Sequence, residues 1–317
     1  MALIPYTKPA RTYQEQLELL KDRGLKIKSD PKALHLLEKL SYYRLSGYWH
    51  PLLAVPKEDH IFLPDASLQT AFDLYRFDRD FRIFILKELE KIEVAIRSHM
   101  IYEMSHSKGA FWIDDVNNFS TPADHSGSIG KLNVDYRNSD DEFIKAFRRK
   151  YSNPLPPSWM LLEISSFGCV SKIYENLRPN RSKRDIANAF GLDETTLASW
   201  LHSFAYVRNV CAHHSRLWNR KMKVRPRIPL NPTNTWLNNT QISNSRTYFI
   251  LCMMLYLLQT IDQRHQFIFR IHLLLRKYKI VDVKAMGFPD DWQSEPLWKF
   301  KPTFKQWVRL NVVFKMR

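Results

Sequence analysis

At 317 residues and 44% hydrophobic content, the chain is long enough to bury a sizeable core, as one large domain or two small ones. Its 48 Lys and Arg against 32 Asp and Glu leave a formal charge of +16, which suits a polyanionic partner, nucleic acid before an anionic membrane. The isolated cysteines Cys169, Cys211 and Cys252 have neither disulfide-framework nor zinc-ligand spacing and point to a reducing, cytoplasmic setting.

Only eight glycines occur and no run of alternating β-branched residues stands out, which predicts an all-α fold. The opening residues, MALIPYTKPARTYQEQ, carry no apolar signal core. Short helices are predicted over Tyr13–Arg23, stopped by Gly24, and over Pro31–Lys39, followed by a turn at Ser46-Gly47. Residues 67–106 are strongly periodic. Leu74, Phe77, Phe81, Phe84, Ile85, Leu89, Ile92, Ile96 and Met100 mark one face, with charges on the other. Residues 107–157 are rich in Asn, Ser, Asp and Pro and read as a long loop with a short helix near Asp141–Tyr151. Helix resumes at Ser158, then come a basic turn from Arg178 to Arg184 and a short helix over Asp185–Phe190.

Leu197–Asn219 reads as an amphipathic helix ending in a polar cluster. Leu197, Trp200, Leu201, Phe204, Val207 and Cys211 form its apolar stripe. Arg208 lies about 20° from Leu197 on that stripe, so its guanidinium needs an anion, since a buried unpaired charge is costly. A carboxylate of the protein, such as Glu93, would answer that need; so would a phosphate. Beyond His214, Arg216, Arg220, Lys221, Lys223, Arg225 and Arg227 follow with no acid among them, held extended by prolines. Helices over Arg246–Ile261 and Phe267–Lys277 complete the core. The apolar run Tyr248–Leu258 is too short to span a bilayer, which needs about 20 residues.

Arg208, Asn209 and His213 fit the pattern R-x(4–6)-H with a polar second residue, and His214 fits it too. The pattern alone means little, since Arg44 and His50 also match; Arg44 sits by the Ser-Gly turn and reads as structural. Context favours the first pair. RNA carries an internal nucleophile in its 2′-hydroxyl. A histidine can move the protons and an arginine fork can bind the phosphate, with no metal or other cofactor. Five residues put His213 about 140° around the helix from Arg208, which a two-fold dimer bringing two helix ends together would relieve.

Two rival classes use the same residues differently. A non-catalytic RNA-binding protein, scaffolding a small structured RNA, would use the basic strip alone. A helix-turn-helix DNA binder would use Arg184–Leu201, where Ala187, Gly191 and Leu197 stand at suitable places, but its second helix opens Asp193-Glu194, which repels phosphate. Adjacent His213 and His214 project to different sides, which argues against a zinc site. His99, His106, His125, His202, His265 and His272 read as surface or core histidines, and the tail aromatics as packing.

YYRLSGYWHPL (Tyr42–Leu52), FDLYRFDRDFRIFILKELEKIEVAIRS (Phe72–Ser98), SWMLLEISSFGCVSKIYENL (Ser158–Leu177), WLHSFAYVRNVCAHHSRLWNR (Trp200–Arg220) and GFPDDW (Gly287–Trp292) together resemble the Abi-like family of bacterial abortive-infection proteins, of the AbiD/AbiF type. The resemblance covers most of the chain, in order. It implies a HEPN-like helical bundle and a toxin-like role in phage defence. It also implies an R-x(4–6)-H ribonuclease motif, like that of type VI CRISPR nucleases, which maps onto Arg208, Asn209 and His213.

The expected organisation is an N-terminal helical region (1–66), a HEPN-like core (67–280, with 107–157 as a loop insertion) and a basic aromatic extension (281–317). Arg208, Asn209 and His213 are the expected catalytic residues, with His214 as a substitute. Arg216, Arg220, Lys221, Lys223, Arg225 and Arg227 are expected to hold RNA, and Glu93 and Arg97 to support the motif. A homodimer is expected, restrained by an antitoxin or a regulatory RNA.

Overall fold

A computed structural model describes residues 5–299. Twelve α-helices account for the regular structure there, joined by short 3-10 turns and three isolated β-bridges. The protein is all-α. Contacts divide it into two units, residues up to Phe81 with Leu274–Val281, and Arg82–Leu273 with the residues from Asp282 on.

The first unit holds α1 (Tyr13–Asp22), α2 (Asp30–Leu40), α3 (Tyr42–Trp49) and the first turns of α4 (Leu68–Lys108). A capping box starts α1: the Thr12 hydroxyl accepts from the Glu15 N–H at 3.2 Å, and the Thr12 N–H donates to the Glu15 carboxylate at 2.6 Å. Leu17, Leu20, Leu37, Leu45, Leu74 and Phe77 are buried in this unit. Its one internal acid is satisfied, Tyr48 donating to Asp78 at 2.7 Å. The Ser46-Gly47 pair predicted as a turn lies inside α3, because Ser41 caps that helix by accepting from the Arg44 N–H and the turn occurs at Ser41 instead.

The second unit contains the rest of α4, α5 (Pro122–Asn138), α6 (Glu142–Lys150), α7 (Ser158–Ile164), α8 (Phe167–Asn176), α9 (Arg181–Asn188), α10 (Glu194–Ala212), α11 (Thr247–Ile261) and most of α12 (Phe267–Lys277). On α4 the stripe anticipated from Leu74 to Met100 is buried except for Phe84, which is half-exposed. Residues 122–138, read as loop from their polar composition, form the 17-residue α5. Thr121 caps it, accepting from the Asp124 N–H at 3.1 Å, and Pro122 occupies the first helical position. Only Ser128 and Leu132 are buried on it, so little apolar periodicity was there to be seen. The single helix expected from Ser158 breaks at Ser165-Ser166 into α7 and α8, Ser166 capping α8. Buried almost throughout, α11 forms the centre of this unit. Among the described tail residues Trp292 and Trp298 are buried, Trp298 donating to the Cys252 sulfur at 3.2 Å; residues 300–317 of the expected extension lie outside the described residues.

Candidate nucleic-acid interface

Helix α10 is held at its start by Asp193. Its carboxylate accepts from the backbone N–H groups of Thr195 and Thr196 at 2.9 and 2.8 Å, and from both hydroxyls at 2.6 Å. Burial pushes this carboxyl up, but those hydrogen bonds outweigh it and hold it below the usual range. The six stripe residues from Leu197 to Cys211 are buried, and α10 packs most extensively on α8.

The helix stops at Ala212, seven residues short of Asn219. Its end is a Schellman motif: the Ser215 N–H donates to the Val210 carbonyl at 3.0 Å and the His214 N–H to the Cys211 carbonyl at 3.1 Å. His213 is the C-cap and is exposed; His214 follows in the left-handed region at φ 55°, a position that favours glycine. His213 keeps the helical register, its N–H donating to the Asn209 carbonyl at 2.9 Å, and the chain leaves the helix at His214.

Arg208 sits where the stripe reaches the last turn. It is half-buried, not sealed, and pairs with no carboxylate among the described residues. Glu93, the internal acid weighed for it, belongs to Arg97 at 2.8 Å. Arg97 also donates to the carbonyl of Ser165 at 3.0 Å and lies 3.6 Å from Glu163, so Glu93 and Arg97 brace the α7–α8 corner. Neither bonds Arg208 or His213; any support they give the motif passes through α8.

The basic strip runs back along α10. The Arg220 guanidinium donates to the Arg216 carbonyl at 2.6 Å and to the Tyr206 hydroxyl at 3.4 Å. Farther on, the Trp200 indole donates to the Arg227 carbonyl, and the Arg227 N–H to the Ser199 hydroxyl, both at 2.9 Å. Between these pins the chain has no regular structure and bends at Lys223-Val224, yet burial alternates along it. Met222 and Pro226 are buried and Val224 half-buried, while Lys221, Lys223, Arg225 and Arg227 all face solvent. None of those four pairs with an acid among the described residues. Arg216 and Arg220 are half-buried.

Asn209 looks onto a second feature that the sequence reading missed. His202, Tyr206, Asn209 and His213 follow at spacings of four, three and four, one face of α10. The first three, with Ala205, wall a cleft of about 740 Å³ closed by α5, α8 and Val224 of the strip. Its charges are mixed, Lys172 pairing with Glu175 at 3.0 Å and Lys131 lying 3.7 Å from Asp135. Burial pushes the Cys169 thiol in this wall up to about 11, so it supplies no thiolate nucleophile at neutral pH. The helical register of His202 and Tyr206 with Asn209 was the available signal.

In the helix-turn-helix segment the side chains that would read bases are already engaged. Gly191, at φ 69°, is packed so closely by Asn234 and Tyr256 that a Cβ there would come within 2.8 Å of both side chains. Of the residues that would read bases, Thr196 is buried, Thr195 and Thr196 are spent on Asp193, and Ser199 is pinned to Arg227. No helix among the described residues is long and apolar enough to cross a membrane.

No curated protein and no solved structure matches the chain. The family model described as Abi-like protein matches residues 35–219, more than half of the chain. The match takes in Arg208, Asn209, His213 and His214 and ends before the exposed cations of the strip. The chain belongs to the Abi-like protein family.

Proposed function

We propose that this protein is a metal-independent endoribonuclease acting in abortive infection, a defence against phage. The observation that carries the reading is Arg208: a half-buried guanidinium without an internal carboxylate among the described residues, near the end of the helix that His213 caps, and ahead in the chain of four outward cations. In the reaction His213 takes the proton of the ribose 2′-hydroxyl. The 2′-oxygen attacks phosphorus, the bond to the 5′-oxygen breaks, and that oxygen takes up a proton. Arg208 binds the phosphate as charge builds on it, and Asn209 orients the two groups. Lys221, Lys223, Arg225 and Arg227 hold the RNA backbone, with Arg216 and Arg220 behind them. The products carry a 2′,3′-cyclic phosphate and a 5′-hydroxyl. The nucleophile is part of the substrate, so no activated water is required.

The wide angle between Arg208 and His213 around α10 favours a homodimer in which arginine and histidine of one site come from different copies. Mixing purified Arg208→Ala with His213→Ala tests this. Each variant alone cuts RNA in EDTA at no more than about one hundredth of the wild-type rate; re-equilibrated mixtures regain about a quarter of wild-type activity, since half the dimers are mixed and each restores one site. Cleavage by Arg208→Ala alone at a rate near that of wild type ends the proposal. A wild type that retains RNA without cutting it favours the scaffold reading. An antitoxin or regulatory RNA is the restraint such an enzyme requires in a living cell.

A further inference from the structure

A second cleft lies in the first unit, distant in sequence from Arg208. It has a volume of about 790 Å³ and is walled by the extended segment before α1, by α1 itself, by α3 and by the loop carrying His60. Its inner wall is fixed. Trp49 is buried, edge-on to Tyr42 at 5.0 Å and to Phe62 at 6.4 Å, and the Arg23 guanidinium donates to the Tyr42 hydroxyl at 2.9 Å. Its lip is open, Tyr6 being 83% and Tyr43 89% exposed. Lys8 and Arg11 join Arg23 around it, and no Asp or Glu lines it. Neither Lys8 nor Arg11 forms an ion pair among the described residues.

The backbone holds these rings in place at some cost. Ser41, at φ 65° and ψ 149°, occupies a region that essentially only glycine adopts, and turns the chain so that Tyr42 and Tyr43 open α3 beside the cleft. Tyr6 and Tyr43 are large rings exposed in a cleft whose lining has cations and no carboxylate; Glu15, outside the lining, feels the Arg11 charge without forming an ion pair with it. Unpaired bases stack on such rings and their phosphates meet the cations, which is how sequence-tolerant sites for single strands are built. An acidic peptide would use the cations but leave Tyr6 and Tyr43 without a role.

We infer that this cleft binds a short single-stranded stretch of RNA, bases stacked on Tyr43 and Tyr6 and phosphates held by Lys8, Arg11 and Arg23. The inference rests on RNA being the ligand of the chain, not on its being cut.

The test uses the full-length His213→Ala protein, so that the probe stays intact, and a fluorescein-labelled 12-nucleotide RNA of mixed sequence read by anisotropy. Adding Tyr6→Ala and Tyr43→Ala weakens binding about tenfold and leaves a duplex of the same sequence bound as before. Adding Lys8→Gln and Arg11→Gln instead weakens binding and lowers the slope of log K against log salt by about 1.4. All four positions are exposed, so an unchanged melting temperature checks the fold in each case. Ultraviolet crosslinking of the probe places adducts within residues 6–62. Unchanged affinity and salt slope in both double variants, or an equal loss for the duplex, overturns the inference. If the wild type cuts RNA while the cleft variants bind normally, this inference fails and the ribonuclease reading stands; if the wild type never cuts but the cleft variants lose the probe, the reverse holds.

Discussion

Two arginines of the second unit, Arg97 on α4 and Arg208 on α10, are both partly withdrawn from solvent, and their surroundings differ in kind. Arg97 is answered from within: a carboxylate at 2.8 Å, a carbonyl at 3.0 Å and a second carboxylate at 3.6 Å. Its side chain is 12% exposed and its charge ties a helix to the α7–α8 corner. Arg208 stands one turn before a helix end with no internal anion. The pairing of Glu93 with Arg97 separates the two, because it removes the acid that would have made Arg208 another brace. A half-buried charge with no internal partner is answered by solvent or by a ligand.

The largest expected effect breaks or upholds that contrast directly. Arg208→Ala and His213→Ala each reduce RNA cleavage in EDTA by about 10²–10⁴-fold, with melting temperatures within about 1 °C of wild type. Arg208→Lys recovers little, because an ammonium lacks the fork. A lowered melting temperature with cleavage within a few-fold of wild type in Arg208→Ala would put it in the same class as Arg97.

Arg97→Ala gives the opposite signature. It leaves the Glu93 carboxylate, 19% exposed, without its cation and two backbone carbonyls without a donor, at a cost of about 2–3 kcal/mol. Thermal unfolding then shifts down by about 5–10 °C, while cleavage at low temperature stays within a few-fold of wild type. A selective loss of cleavage in a stable Arg97→Ala protein would move this residue into the site.

The strip provides a graded measure. Lys221→Gln, Lys223→Gln and Arg225→Gln together reduce the salt slope of single-stranded RNA binding by about 2, and melting is unaffected since all three side chains face solvent. An unchanged slope would mean that the alternation along KMKVRPR serves solubility alone.

The run of six cations without an acid was legible in the sequence; that Met222, Val224 and Pro226 turn in while four of the cations face solvent emerges only in the folded chain, which bends at Lys223-Val224. The stripe from Leu197 to Cys211 was equally open to reading, because a buried face leaves a period of 3.6. Two things were hidden, for different reasons. Helix α5 rests on a Thr121 cap and a proline start with one buried leucine, so composition spoke for a loop. The cleft beside Asn209 joins α5, α8 and α10, which lie far apart in the chain, so His202 and Tyr206 acquired their place only in the folded unit. The partner of Glu93 was also undecidable from sequence, since an arginine four residues on and one on another helix both reach such an acid.

The smallest effect concerns His214 and asks which side of the contrast the end of α10 belongs to. In a Schellman motif the residue after the C-cap takes positive φ, which glycine adopts freely and a residue with a Cβ does not. His214, at φ 55°, therefore holds the fold back slightly. His214→Gly relieves the strain but gives the unfolded chain more freedom, for a net gain of about 0.5 kcal/mol. In a unit of this size that is a rise of about 1–2 °C in melting temperature, readable by calorimetry. If the imidazole assists His213, the same variant cuts RNA more slowly while melting higher, the signature of a residue kept for a ligand. A fall in melting temperature would show instead that the His214 side chain supports the fold, as Arg97 does.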